Sequence, residues 1–321
     1  MKISLILCTY NRSQSLKRAL ESIAASKVAD STQWEVLVVD NNSKDETHTV
    51  VQSFCNRYPD HFRYICELQQ GLSHARNAGI RESVGQILAF TDDDIIVEPT
   101  WLQNLTAPLE SGKWSAAGGR ILPMNDFSCP AWLALQGEYN LGGVITINDL
   151  GDTAGETTKP PVGASMAFRR EMFQKYGLFR TDLGRCGGKM LSNEDIEFGG
   201  RLLAGGEHIW YEASAVLYHE VPESRLTKSY FLQFWHGYGR AQIRQSANRS
   251  DVWGMPRWLF SVPMIVFNVL PARLRIWLFA RDEKRRFFFK CTVWRTFGEI
   301  VELPRIWLER KRLAKSTANE N

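Results

Sequence analysis

Residues 87–94 read Ile-Leu-Ala-Phe-Thr-Asp-Asp-Asp, a short apolar run that passes directly into three carboxylates. A buried strand has no structural use for three acids at its tip. Like charges this close repel one another unless a cation or another positive field offsets them. In an open α/β sheet the carboxyl ends of strands are also where ligands bind. Asp92, Asp93 and Asp94 are therefore where chemistry is expected, with a divalent metal carrying a phosphorylated ligand. The competing reading is a solvated acidic turn in which Asp94 or Thr91 caps a helix.

Upstream, the chain keeps one rhythm. Ile3–Leu7 is a continuous apolar run, after which Leu16, Leu20 and Ile23 recur at helical spacing. Trp34–Val39 is a second apolar run and ends at Asp40. Ser43-Lys44-Asp45-Glu46 has the pattern of a capping box opening the next helix. Phe62–Cys66 reads as a third strand, Leu72–Ser83 as a helix and Ile87–Phe90 as a fourth strand. Strands alternating with single helices give a parallel sheet with crossover helices.

Downstream, residues 95–160 are less regular and are punctuated by Gly118-Gly119, Cys129-Pro130, Gly142-Gly143 and Lys159-Pro160-Pro161. The pattern then tightens: a strand over Gly163–Phe168, a helix near Arg170–Tyr176, a Gly-rich loop at Gly184–Gly188. A further helix begins near Asn193 and ends at Gly205-Gly206, and a strand follows at His208–Tyr211.

Of the 321 residues, 44% are hydrophobic and 23% charged, which excludes a disordered chain and sets a limit of one large domain or one domain with an appendage. Six scattered cysteines, with no CxxC pair, point to a reducing compartment and away from a thiolate metal site. The apolar run at the N-terminus is too short for a signal peptide. No run of 18 uncharged apolar residues exists, so no transmembrane helix is expected.

Charge is unevenly placed. Residues 273–321 hold 13 Lys/Arg against 6 Asp/Glu, a balance of +7 that leaves −3 for the rest of a chain whose total is +4. Five of the eleven tryptophans lie at or after Trp253. Trp258–Ala272 is a run of 15 uncharged residues, interrupted by Pro263 and closed by Pro271, too short to span a bilayer unaided. Basic clusters interleaved with large aromatics suit an amphipathic segment in the headgroup region of an anionic membrane. A helical subdomain packing on the rest of the chain is the alternative. A nucleic-acid surface is not expected, because no motif supports it.

Seven segments occur in an order that closely resembles the family 2 inverting glycosyltransferases of GT-A fold. They are Ile-Leu-Cys-Thr-Tyr-Asn-Arg at 6–12, Val-Val-Asp-Asn-Asn-Ser at 38–43, Gly-Leu-Ser-His-Ala-Arg-Asn-Ala-Gly at 71–79 and Phe-Thr-Asp-Asp-Asp at 90–94. Then come Val-Gly-Ala-Ser-Met-Ala-Phe-Arg-Arg-Glu at 162–171, Asn-Glu-Asp at 193–195 and Tyr-His-Glu at 218–220. The resemblance covers residues 1–245. It implies a mostly parallel, doubly wound sheet with flanking helices, 1–94 as the nucleotide-binding half and 95–245 as the acceptor half. Residues 246–321 are expected to form a helical, Trp/Arg-rich, membrane-associating extension.

The resemblance also implies site roles. Thr9, Tyr10 and Arg12 would line the nucleotide pocket, Asp40 would bind base or ribose, and Arg76 would support the nucleotide side. Asp92 would face the ribose, Asp93 would complete the donor site, and Asp94 would hold Mn²⁺ or Mg²⁺, with His219 as a second metal ligand. Each has a plainer alternative: an exposed helix-start arginine for Arg12, a strand-end cap for Asp40, a helix-surface salt bridge for Arg76, a structural histidine for His219. An acceptor hydroxyl is a poor nucleophile until its proton is removed, and the family's Glu-Asp element matches Glu194 and Asp195, with Asp195 as the base. Both could instead be acids favoured by a helix N-terminus. The Gln-x-x-Arg-Trp motif of processive members is missing; Phe234–Arg240 stands in the comparable region.

The expectation is thus a metal-dependent, inverting glycosyltransferase. It would transfer one sugar from a nucleoside diphosphate, UDP first, to a hydroxyl of a lipid-linked or cell-surface polysaccharide intermediate, at the cytoplasmic face of the membrane. The alternatives are a sugar-phosphate nucleotidyltransferase, and a catalytically silent scaffold that binds nucleotide sugar at the membrane.

Overall fold

Three crossovers build the first part of the sheet: β1 (Lys2–Thr9), α1 (Ser13–Ala24), β2 (Gln33–Asp40), α2 (Thr47–Arg57), β3 (Phe62–Cys66), α3 (Leu72–Glu82) and β4 (Ile87–Thr91). Their strands lie parallel in the order β3-β2-β1-β4. β1, β2 and β4 are buried on both sides, as strands between two helical layers must be, whereas β3 at the edge is only partly buried. The computed structural model describes residues 2–124, 127–187, 191–245 and 258–319.

The remaining elements are β5 (Ile95–Val97), α4 (Trp101–Glu110), β6 (Ala116–Pro123), β7 (Gly155–Thr157), β8 (Met166–Arg169), α5 (Arg170–Tyr176), α6 (Glu194–Ala204) and β9 (Ile209–His219). Among the described residues they extend the sheet to nine strands, but not in parallel. β8 runs antiparallel to both β4 and β6, and β5 and β7 run antiparallel to β9; only β6 and β9 pair parallel. The mostly parallel expectation describes the first 94 residues, and the sheet as a whole is mixed. β9 also continues to His219, eight residues beyond the expected end at Tyr211. That extension carries His219 opposite Ile95, the residue after the acidic cluster.

Two apolar layers cover the sheet. One packs Leu16, Leu20, Trp101 and Leu105 on Leu5, Val36 and Val38. The other is a phenylalanine cluster in which Phe173 stacks on Phe198 at 4.5 Å, with Phe90, Phe168 and Phe179 around them.

The expected capping box is not formed. α2 begins at Thr47, and Ser43 Oγ instead accepts the amide of Asn11 (2.9 Å). Asp45 is the cap: its carboxylate accepts the Thr47 amide (3.1 Å) and, across the loops, the Ser13 amide at the start of α1 (2.9 Å). A carboxylate two residues before the helix can reach both orphan amides, whereas Ser43 is drawn away by Asn11.

The chain divides into two compact units: Met1–Phe127, Thr146–Gly187 and Glu194–Val221 form one; Ser128–Ile145, Gly188–Asn193 and Pro222–Asn321 form the other. The second unit thus takes in residues upstream of 246, where the sequence suggested a boundary. That suggested boundary, and Gly188 of the Gly-rich loop, lie outside the described residues. In the second unit α7 (Lys228–Gln245) packs on α10 (Glu283–Asn319). The backbones approach so closely that a Cβ on Gly239 would strike the Arg295 carbonyl, and one on Gly298 the His236 carbonyl. Buried Glu302 of α10 accepts from Arg240 (2.7 Å) and Arg244 (2.5 Å) of α7.

Between them lie α8 (Trp258–Met264), a π-helical turn (Ile265–Val269) and α9 (Leu270–Phe279). Against expectation, the two prolines do not end the helical path, and Leu259–Phe279 is long and apolar enough to cross a membrane. Pro271 falls in the first turn of α9, and a π-helical turn lies between it and Pro263.

Candidate active site

The tip of β4 delivers its three acids to different partners. Asp93 is buried at 5% exposure; one oxygen accepts from Thr9 Oγ1 (2.8 Å) at the end of β1, the other from Arg12 Nη1 (3.0 Å). The same Arg12 nitrogen lies 2.7 Å from Asp94 Oδ2, and His219 Nε2 is 3.2 Å from Asp94 Oδ1. Burial, and then the neighbouring charge of Asp94, push the Asp93 carboxyl up to about 6, against the pull of Arg12 and Thr9. Burial works against the charge on Arg12, but the two carboxylates outweigh it and raise its pKa.

Asp92, Asp94 and His219 offer one ligand atom each, and the three atoms lie within 4.8 Å of one another. Two carboxylate oxygens and an imidazole nitrogen are a donor set for a divalent cation. The buried Nδ1 of His219 has no hydrogen-bond partner among the described residues. Arg12 supplies positive charge beside Asp93 and Asp94, two of the three clustered acids.

Arg76, on α3, links this acidic tip to the second candidate element. It is 2% exposed; Nη1 meets Glu194 Oε1 at 2.6 Å and Nη2 lies 3.5 Å from Asp92 Oδ1. Burial raises the Glu194 carboxyl and Arg76 opposes it. Asp195, half-buried beside it, accepts the Gly163 amide at Oδ2 (2.7 Å) and the Ile196 amide at Oδ1 (2.8 Å). A Cβ on Gly163 would stand 2.5 Å from Arg76 Nη2 and 3.1 Å from Asp195 Oδ2, so only glycine fits between these groups. Asp92, Arg76, Glu194 and Asp195 are therefore one contiguous charged cluster.

On the nucleotide side the placements are mixed. Tyr10 is exposed at 46%, open to a ligand. Asp40 is buried, with Oδ1 accepting the Ser43 amide (2.9 Å) and Oδ2 the Tyr64 hydroxyl (2.9 Å). Thr9, Asp40, Arg76 and Asp93 are buried, and each pairs its polar atoms within the protein.

Several positioning residues stand inside the quoted motifs without a role read from the sequence. Asn41 accepts the Gly71 amide (2.8 Å) and donates to the carbonyls of Glu67 (3.0 Å) and Gln69 (2.8 Å), fixing the entry to α3. Ser73 donates to Leu183 (2.9 Å), and Asn77 bonds Phe179 in both directions, so α3 holds the segment that leads towards the Gly-rich loop. Runs such as Asn-Asn-Ser and Ser-His-Ala-Arg-Asn signal polar density but do not say which atom pairs with which.

Comparison with known proteins settles the family. The family model described as "Glycosyl transferase family 2" matches residues 4–177, more than half of the chain. The chain belongs to glycosyl transferase family 2. It is 26% identical over 250 residues to a glucosyl-dolichyl phosphate glucuronosyltransferase of Haloferax volcanii, covering 75% of this chain and 76% of that protein. It is also 26% identical over 254 residues to the succinoglycan biosynthesis protein ExoM of Rhizobium meliloti, covering 78% and 77%. A mannosyltransferase of Pyrobaculum calidifontis, solved with GDP-Man and Mn²⁺, superposes with a TM-score of 0.60 at 18% identity, over 91% of this chain and 86% of that one. This family 2 glycosyltransferase has the GT-A fold with a C-terminal helical extension.

Proposed function

We propose that this glycosyltransferase moves a single sugar, with inversion, from a nucleoside diphosphate to a hydroxyl of a lipid-linked or cell-surface polysaccharide intermediate. The observation that carries the reading is the shared arginine: Arg76 touches both Asp92 of the strand tip and Glu194 of the Glu-Asp element. In this reading Asp92, Asp94 and His219 hold Mn²⁺ or Mg²⁺, and the imidazole favours Mn²⁺, since Mg²⁺ prefers an all-oxygen shell. The bound cation would supply Lewis-acid stabilisation of the departing diphosphate.

Asp195 is the base that accepts the acceptor's proton. Its Oδ2 is aimed by the Gly163 amide, and Glu194 is held by Arg76 to orient the acceptor. Thr9 and Arg12 keep Asp93 and Asp94 in place and balance their charge, and exposed Tyr10 stacks on or borders the base. UDP-sugars are the first donors to test, with GDP-sugars second. The acceptor class follows from the similarity to a dolichyl-phosphate enzyme and to a succinoglycan biosynthesis protein. The basic, aromatic helices of the second unit are read as a peripheral contact with the inner face of the cell membrane.

Donor turnover, measured with and without acceptor in Mn²⁺, tests the reading. Asp195→Asn should lose transfer by several orders of magnitude while nucleotide binding, followed by thermal shift, is retained. Transfer that survives in that variant refutes the base assignment; wild-type binding without any turnover of a donor panel favours the scaffold.

A further inference from the structure

The large apolar side chains exposed along Leu259–Phe279 share one face, with exposed Asn268 and Arg275 among them. Phe260, Met264, Phe267, Leu278 and Phe279 recur at helical spacing and are 42%, 56%, 76%, 63% and 78% exposed. Only 6% of the segment's apolar window is buried inside the protein. An apolar face of this length that stays exposed among the described residues marks an interaction surface. At about 1.5 Å per residue its 21 residues reach roughly 30 Å, enough to cross a hydrocarbon core.

The opposite face decides against crossing. Arg273 donates to the Thr292 carbonyl (3.2 Å) and to Thr296 Oγ1, while Trp277 packs edge-on against Trp294 (5.9 Å). Lys290 lies over both indoles at 5.5 Å. Later residues of α9 thus meet earlier residues of α10, which makes the pair an antiparallel hairpin turned at residues 280–282. A segment that crossed would carry α10 into the hydrocarbon beside it. That helix brings Lys290, Arg295, Glu299, Glu302, Arg305 and Glu309. Each charge at the centre of a bilayer is strongly disfavoured. Lying flat avoids this: the apolar face enters one leaflet, the charged helix stays on the aqueous side, and Arg275 reaches the headgroups by snorkelling.

We propose that Leu259–Phe279 is a monotopic, in-plane insertion element: with α10 it forms a hairpin that seats its Phe260/Met264/Phe267/Leu278/Phe279 face in one leaflet of an anionic bilayer without crossing it. Charge supports the choice of a lipid surface. Arg281, Lys284, Arg285 and Arg286 at the turn and Arg310, Lys311 and Arg312 further along are exposed and outnumber the acids beside them. The inference rests on the proposed membrane contact and adds to it the mode of insertion and the residues that perform it.

The test uses the full chain and vesicles of phosphatidylcholine with and without phosphatidylglycerol. Wild-type protein should float with the anionic vesicles, and Phe267→Glu and Phe279→Glu should each lower partitioning at least about tenfold, with thermal unfolding unchanged because both side chains are exposed. Nitroxide labels placed singly at 260, 267 and 278, in a chain whose Cys66, Cys129 and Cys186 are serine, should report one shared shallow depth. A label at 267 near the bilayer centre, with 260 and 278 shallow, would mean a crossing helix and overturn the in-plane mode while leaving membrane contact intact. No flotation on either vesicle would overturn the membrane contact itself. A wild-type dimer in lipid-free sedimentation that Phe267→Glu dissolves would assign the face to a second copy and overturn the proposal.

Discussion

Arg76 answers two carboxylates from inside the protein, and its removal leaves both without their partner. Taking away one half of a buried pair strands the other charge, at a cost of about 3–5 kcal/mol. Arg76→Gln should therefore lower unfolding free energy by roughly that amount in urea titrations, whereas Arg76→Leu combined with Glu194→Leu should recover most of it. If the double variant is no better than the single one, the pair is not what the site rests on. At this scale the sequence was legible in part. Three consecutive acids announced a charged centre, yet nothing in Asp-Asp-Asp says that the middle one is buried with both oxygens taken by Thr9 and Arg12. The roles of identical neighbours are decided by which face of the strand tip each occupies, and that depends on β1 and β9, far away in the chain. His219 shows the same dependence, since its closeness to Asp94 requires β9 to run on beside β5.

Helix starts show how one side chain can serve two elements. Asp45 accepts amides at the beginnings of both α1 and α2. Burial opposes its ionisation, but the hydroxyl and amide of Thr47 and the amide of Ser13 outweigh that and hold its carboxyl at about 2, below the ordinary 3.8. Its folded-state pKa is depressed, so its contribution is complete above about pH 4 and is lost as the pH falls through about 2. Asp45→Ala should cost about 0.5–2 kcal/mol at neutral pH, the usual range for a lost cap, and the gap to wild type should close in melts taken at progressively lower pH. A gap that widens in acid would contradict the cap. At this scale β1 to β4 and their helices were readable because apolar runs of strand length alternate with helical spacing, a purely local signal. The antiparallel pairing of β8, β5 and β7 was not, because short strands such as Ile95–Val97 and Gly155–Thr157 have no pattern of their own and take direction from their partners. The Ser43–Glu46 pattern misled for a related reason: Asn11, in another loop, competes for Ser43.

Across the molecule, a cation held by Asp92, Asp94 and His219 would bind only the folded chain, because these residues come from the ends of two strands. Mn²⁺ at a hundredfold excess over its Kd should then raise stability by about 2.7 kcal/mol, seen as a higher Tm that EDTA reverses. Asp94→Asn and His219→Gln, each measured with and without the ion, should lose most of that increment; an increment that survives both places the ion elsewhere. Arg76 sits on α3, in the stretch expected to bind the donor, whereas Glu194 and Asp195 belong to the stretch expected to receive the acceptor. Anyone building hybrid enzymes to change the acceptor would naturally splice near residue 95, after the acidic tip. That junction would join one parent's arginine to another parent's glutamate, so a working chimera has to inherit α3 and the 163–195 region from the same ancestor.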